Sequence, residues 1–314
     1  MLSKCRTAAS LLARADLRGF ARQLCLNLRR LRVAIHRGRP FVHRRLGFSF
    51  VCHPDLRDSV ELWLRGAPDA RELSLVRAWL EPGDAAIDVG ANLGVYAVAA
   101  AHAVHNQGRV LAIEPSAALS ERLRRTAHRL GLDSIRVCAM CAGERAGATE
   151  FYVADERETT GEQSRRVDSE HLARYRKVAM EMDTLDNLAA AHLQGDAACI
   201  VKLDVEGAEV LVLRGASLLI GATDAAFWLV EVNVPALRRF GFGAADLLSY
   251  FPAAGFENWL IPQYPGIPSR PAPPRLLVAG ESFEDAAFYN LAALPRGGRW
   301  ANRSRRLREL LLPA

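Results

Sequence analysis

The chain has 314 residues, half of them hydrophobic, which is enough to bury a large core; the length fits two domains or one α/β domain with extensions, and the second is the favoured reading. Its formal net charge of +6 is uneven: residues 1–45 hold twelve Lys or Arg and one Asp, a net of +11, so the remainder carries −5. The basic pI of about 9.2 therefore describes an extension and not the body, and a nucleic-acid function cannot be read from it.

Leu17, Phe20, Leu24, Leu28, Leu31 and Ile35 recur at steps of three or four, while Arg18, Arg22, Arg29 and Arg32 fall largely elsewhere on the wheel. This spacing predicts an amphipathic basic helix within a 1–45 extension. Three uses compete for it: packing on its own domain, contact with an anionic membrane surface, or an Arg-rich import sequence. Arginines interrupt every apolar core in the first thirty residues, which disfavours a secretory signal, and no run of 18 apolar residues is available to span a membrane.

Residues 86–96, Ala-Ile-Asp-Val-Gly-Ala-Asn-Leu-Gly-Val-Tyr, compress a buried strand, a glycine turn and a helix start into eleven positions. Ala86, Ile87 and Val89 read as a strand buried on both faces, Gly90 and Gly94 allow the turn, and an Ala-rich helix runs from Tyr96 to Val104. Such a helix start points free N–H groups at a ligand, and Asp88, at the strand end, is placed to reach a ligand's polar or cationic end. The three glycines of a dinucleotide loop are incomplete, because Ala91 and Asn92 follow Gly90 and only Gly94 comes after. About 20 residues on, Arg109–Pro115 is a second apolar strand ending in Glu114, where an acid accepts hydrogen bonds from ribose hydroxyls. Together, in this order and spacing, the two segments indicate a nucleoside-containing cofactor bound by Asp88, Gly90, Ala91, Asn92, Gly94 and Glu114.

The next strand-like run, Ile135–Ala142, contains Cys138 and Cys141 in one C-x-x-C without a second pair or nearby histidines, so no metal or redox role is assigned. The six cysteines are scattered and make no disulfide framework, which fits a reducing compartment. Residues 154–177 are rich in Arg, Glu, Ser and Thr and read as a solvated loop or a substrate lid. Residues 199–216 repeat the strand-to-helix junction, with Asp204, Glu206 and Gly207 at the strand's end, which places these acids in the same crevice as Asp88. Glu209 and Arg214 fall on the helix that follows, where its solvated face is one reading for both and the favoured one for Arg214. Six prolines between 262 and 274 predict an extended connection, Phe283–Leu294 resumes an apolar pattern that can close the sheet, and Trp300–Leu312 reads as a short basic helix. The alternation of strands and helices predicts an α/β fold with a mostly parallel sheet covered on both faces.

These segments resemble the FkbM family of S-adenosylmethionine-dependent methyltransferases. The resemblance is carried by Leu80-Glu-Pro-Gly-Asp84, Ile87–Tyr96, Val110–Pro115, Met182-Asp-Thr-Leu-Asp-Asn-Leu188, Val201–Glu209 with Leu213-Arg-Gly-Ala216, and Trp228-Leu-Val-Glu-Val232, in family order over roughly residues 72–260. It implies a Rossmann-like seven-stranded methyltransferase fold and leaves both ends of the chain uncovered; the domain is drawn at residues 46–295, between the basic helical extension at 1–45 and a basic helix at 296–314. It further implies bound S-adenosyl-L-methionine and, usually, O-methylation of a hydroxyl on a sugar, a glycan or another small natural product. By the same resemblance Cys141 and Ala142 lie near the adenine.

Methyl transfer needs orientation, exclusion of water and one base to take the hydroxyl proton. Asp204, Glu206 and Glu231 are the candidates, as acids at the carboxyl ends of two central strands; alternatively Asp204 holds the cofactor's methionine end and Glu206 caps the helix beginning at Gly207. A divalent metal at Asp204 and Glu231 is chemically allowed, but nothing in the sequence demands it. Two other readings stay open: a nicotinamide-dependent oxidoreductase, supported by Glu114 and opposed by the missing glycine, and a non-catalytic scaffold recruiting partners through its basic helix. The expected partner is a small-molecule or carbohydrate acceptor. Nucleic acid is disfavoured, since the Asn/Asp-Pro-Pro-aromatic signature is absent, and residues 1–45 offer a peripheral membrane or protein contact. Arg outnumbers Lys 38 to 3, a sign of a GC-rich genome, and the expected setting is the bacterial cytoplasm.

Overall fold

The computed structural model describes residues 17–44, 46–154, 175–193, 198–222, 226–263, 273–278 and 288–312. The chain divides into two units, Met1–Pro68 and Asp69–Ala314. In the first unit the predicted basic helix is α1 (Leu17–Ile35), followed by an antiparallel hairpin of β1 (Phe41–His43) and β2 (Phe50–Cys52) and by α2 (Arg57–Arg65). Leu26 and Val33 pack against Phe41, Cys52, Trp63 and Leu64, and Arg32 lies over the Phe41 and Trp63 rings at 4.8 and 5.2 Å.

The second unit starts with α3 (Ala70–Trp79) and then winds through β3 (Ala85–Val89), α4 (Val95–Val104), β4 (Arg109–Ile113), α5 (Ala117–Leu130) and β5 (Ile135–Cys138). The run read as one strand at 135–142 is two. Cys138 closes β5, whereas Cys141 opens β6 (Cys141–Gly143), which belongs to a separate sheet with β7 (Gly147–Ala154) and β8 (Tyr175–Thr184) in the order β6-β8-β7. Residues 175–177, assigned from sequence to an irregular segment, pair with 152–154 in that sheet; 155–174 lie outside the described residues. Helix α6 (Leu185–His192) leads to β9 (Ala198–Leu203), short helices α7 (Glu209–Arg214) and α8 (Ser217–Gly221), and β10 (Phe227–Asn233). After α9 (Val234–Arg239) and α10 (Ala244–Leu248) come β11 (Phe256–Gln263), β12 (Arg275–Leu276), β13 (Phe288–Pro295) and the C-terminal helix α11 (Ala301–Leu311). Of the proline-rich connection, 264–272 fall outside the described residues, and Pro262 belongs to β11.

The large sheet has the order β12-β11-β13-β10-β9-β3-β4-β5. Strands β10, β9, β3, β4 and β5 are parallel, and β13 runs antiparallel between β10 and β11. This is the expected seven-stranded, mostly parallel arrangement with the two-residue β12 added at one edge. All five residues of β3 are buried, because helices cover both faces of the sheet and leave no solvent side for alternation. Strand order reverses between β3 and β9, and at such a switch point the loops beyond the carboxyl ends part to form a crevice. The turn before β3 is held by α11: Arg303 Nη1 donates to Asp84 Oδ2 at 2.5 Å and Nη2 to Glu81 Oε2 at 2.8 Å. Trp79 Nε1 donates to the Cys199 carbonyl at 2.7 Å, tying α3 to β9.

Candidate active site

The turn after β3 is shaped by backbone crowding. Gly90 has φ +78°, and a Cβ there would stand 1.7 Å from the Asp204 carbonyl oxygen, so only glycine lets the ends of β3 and β9 approach this closely. Gly90 and Ala91 donate their N–H groups to the Ile113 carbonyl at 2.9 and 3.0 Å. Asn92 follows in the left-handed region at φ +51° and donates its N–H to Glu114 Oε2 at 2.8 Å; Glu114 Oε1 accepts from Ser116 N–H at 2.8 Å. Gly94, at φ +80°, caps α4 and is closed in by the Leu123 side chain.

A cleft opens beyond these strand ends, enclosing about 820 Å3 with its open mouth included. Gly90, Asn92, Glu114, Cys141 and Ala142 line one side with Ile113, Pro115 and Phe151; Asp204, Glu206 and Glu231 line the other. Nine sequence-predicted residues therefore meet there or flank it directly: these eight, with Ala91 in the same turn. Asp88 is placed differently. It is 4% exposed, absent from the lining, and its Oδ2 accepts the Ala97 N–H at 2.8 Å, so it braces the first turn of α4 from below. Burial pushes its carboxyl up to about 7, against the pull of Lys202, which faces it across the β3–β9 pair.

Two readings of the second junction need correction. Glu206 does not cap a helix at Gly207: it sits in the turn at φ +55°, and α7 begins at Glu209. Glu209 is not on a solvated face either. It is 0% exposed, and its Oε1 accepts from Val205 N–H at 3.0 Å and Gly207 N–H at 3.2 Å, closing the turn that presents Glu206. Burial pushes its carboxyl up to about 7, and Oε2 has no hydrogen-bond partner. The turn takes three residues before the helix starts, which brings Glu209 back over its own N-terminus; helical spacing counted from Gly207 puts it on the wrong face.

Lys202 is the residue that sequence reasoning passed over. It is 4% exposed, its Nζ donates to Asp204 Oδ2 at 3.1 Å, and it lies 5.1 Å from the centre of the Tyr96 ring. Burial disfavours its charge, but Asp204 and Glu231 outweigh this and raise its proton affinity. The signal was a lysine inside an otherwise apolar strand buried on both faces. Tyr96 in turn donates its hydroxyl to Asp69 Oδ2, and Asn290, opposite Glu231 in the β10–β13 register, donates to Glu72 Oε1 at 3.0 Å. Glu231 is held well above the ordinary carboxylate range, first by burial and then by Asp204, Glu206 and Glu209; its Oε2 is buried without a partner. The cleft thus joins a half rich in turn backbone to a half carrying one proton-hungry carboxyl beside an ion pair of buried Lys202 and partly exposed Asp204.

A family model described as the Methyltransferase FkbM domain matches residues 88–257, more than half of the chain. Among solved structures, the chain is similar to a methyltransferase FkbM from Methylobacillus flagellatus KT at 15% identity, covering 74% of this chain and 52% of that one with a TM-score of 0.41. It is also similar to a SAM-dependent O-methyltransferase from Thermotoga maritima (14% identity, 72% and 65% covered, TM-score 0.37) and a SAM-dependent methyltransferase from Aquifex aeolicus (12%, 71% and 88%, TM-score 0.36). It spans about half the length of the first of these. No curated protein matches. From Asp88 beneath the glycine turn to Glu257 on β11, the matched segment contains every residue that lines the cleft, and the chain belongs to the FkbM methyltransferase family.

Proposed function

We propose that this protein transfers a methyl group from S-adenosylmethionine to a hydroxyl of a sugar or another small hydroxylated acceptor. The observation that carries the reading is the cleft in which the Gly90–Asn92 turn and Glu114 meet Asp204, Glu206 and Glu231. The donor side fits the cofactor. Glu114 accepts two backbone N–H groups and keeps acceptor capacity for ribose hydroxyls, since a carboxylate has about four lone-pair sites. Ile113, Pro115, Cys141 and Ala142 supply a small apolar wall for a purine. Asn92 Oδ1 is buried without a partner and calls for a donor from the ligand, and the partly exposed Asp204 suits an ammonium group. The bound cofactor would supply an activated, electrophilic methyl group.

What remains for the chain is to align the acceptor, keep water out and remove one proton. Glu231 suits the proton removal. Glu231 lines the cleft, its Oε2 has no hydrogen-bond partner, and its raised proton affinity brings it closer to a base poised for neutral pH than an ordinary carboxylate is. Asp204 is engaged by Lys202 and is better suited to binding. Three carboxylates offer acceptors to several hydroxyl donors, which supports a polyol-like acceptor and disfavours a phosphodiester. The test is transfer of labelled methyl from S-adenosylmethionine to a panel of sugars and hydroxylated natural products. Label should enter a hydroxylated acceptor, and Glu231→Gln should slow transfer by about 10²- to 10⁴-fold while cofactor affinity stays within about twofold. Tight cofactor binding with no transfer to any such acceptor, or transfer to nucleic acid instead, would overturn the reading.

A further inference from the structure

Helix α1 in the first unit has two apolar edges, and only one is used within it. Leu26 and Val33 are packed against Trp63 and its neighbours, Trp63 Nε1 donates to the Arg29 carbonyl at 3.1 Å, and Arg29 Nη1 donates to the Leu64 carbonyl at 2.7 Å. On the other edge Leu24, Leu28, Leu31 and Ile35 follow one another at steps of four, three and four, and stand 48%, 58%, 54% and 67% exposed. Single exposed leucines are ordinary, but four large aliphatic side chains in one stripe along a helix mark a contact surface.

The charge around the stripe identifies its partner. Between Asp16 and Asp55 there is no acidic residue, while α1 alone carries five arginines. Arg32 is exposed beside the stripe, using one N–H on the Val42 carbonyl at 3.1 Å, and exposed Arg37 and Arg39 follow the helix end. We propose that this face docks on an anionic lipid surface, with the four aliphatic side chains entering the boundary between headgroups and acyl chains and the arginines meeting lipid phosphates. A second copy of the chain would cover the leucines but would bring two arginine-rich helices together with no acid on either to offset them. A nucleic acid would satisfy the arginines and leave the leucines in water. Among the described residues no helix is long and apolar enough to cross a membrane, so the docking is peripheral.

The experiment is co-sedimentation of the full chain with vesicles of phosphatidylcholine alone and of phosphatidylcholine with about one-quarter phosphatidylglycerol. Binding should be at least tenfold stronger to the anionic vesicles and weaken at high salt. The variant Leu28→Ser/Leu31→Ser should reduce it at least tenfold with an unchanged thermal melt, since both side chains are already largely in water. Equal or no binding to both vesicle types, an unaffected double variant, or a dimer in sedimentation equilibrium that the double variant dissociates would each overturn the proposal.

Discussion

Replacing Gly90 by alanine drives a methyl group to within 1.7 Å of the Asp204 carbonyl oxygen, where van der Waals contact needs about twice that, and at φ +78° the residue must also adopt a left-handed backbone. The clash partner is backbone at the end of β9, not the tip of a flexible side chain, so relief requires the ends of β3 and β9 to separate. The left-handed conformation costs roughly 1–2 kcal/mol and overpacking roughly 1–3, together about 2–5 kcal/mol. For a unit of this size that is a fall of roughly 5–15 °C in the melting temperature. The control is Gly131→Ala. That glycine has φ +65° with nothing within 4 Å of an added Cβ, so it isolates the conformational cost of about 1 kcal/mol. Calorimetric melts of both variants, with ligand titration of each, give the comparison. A Gly90→Ala protein no less stable than Gly131→Ala would refute the claim that close approach of β3 and β9 is what this turn requires.

Further consequences concern the buried acids. The unfolded Glu209 carboxyl loses its proton near pH 4.3 while the folded one keeps it to about 7, so between these values the native state binds more protons and stability falls as pH rises, by about 4 kcal/mol at most. Glu209→Gln keeps the acceptor for Val205 and Gly207, so its denaturation midpoint should vary less between pH 4.5 and 7.5 than that of the parent; an unchanged pH profile would count against the burial argument. Lys202→Met removes the cation from a cluster holding Asp204 and Glu231 and should cost about 1.5–3 kcal/mol in urea denaturation, less than for a fully buried pair because Asp204 is partly exposed. In whatever fraction folds, loss of that positive charge raises the proton affinity of Glu231 further, so the rising limb of kcat/KM against pH should move to higher pH. A limb that stays in place would mean that Glu231 is not the group titrating.

The cleft's donor side was largely legible in the chain because its determinants are local. Glycines at fixed offsets after a two-sided buried strand, and an acid ending the next strand, specify turn, register and side-chain direction within a few residues. The predicted helix at 96–104 begins one residue earlier, at Val95, and Ile87, Val89 and Asp88 lie in the strand where the apolar run put them. What escaped depends on packing between distant segments. Asp88 reads as a ligand contact until the Ala97 N–H claims it. The role of Lys202 needs Tyr96, Asp204 and Glu231 to be brought together across three elements. The start of β8 escaped because Tyr175-Arg-Lys177 carries no apolar period, and the 135–142 run hid a change of sheet between two cysteines three residues apart. In α1 the strongest apolar stripe turned out to be the exposed one, because periodicity marks an apolar face without saying what covers it.

Calorimetric titration of the protein with S-adenosylmethionine, S-adenosylhomocysteine and NAD, repeated on Glu114→Gln, tests the central claim most directly. Glu114→Gln sets an amide NH2 against one of the two backbone N–H groups the carboxylate accepts and removes acceptor capacity for the ribose hydroxyls, which should cost roughly 1.5–3 kcal/mol, about tenfold or more in affinity. The first two ligands should bind at micromolar concentration, at least tenfold more weakly after the substitution, and NAD should show no comparable binding. Preferential binding of NAD, or affinity for S-adenosylmethionine that is indifferent to Glu114, would contradict this assignment of the cofactor site.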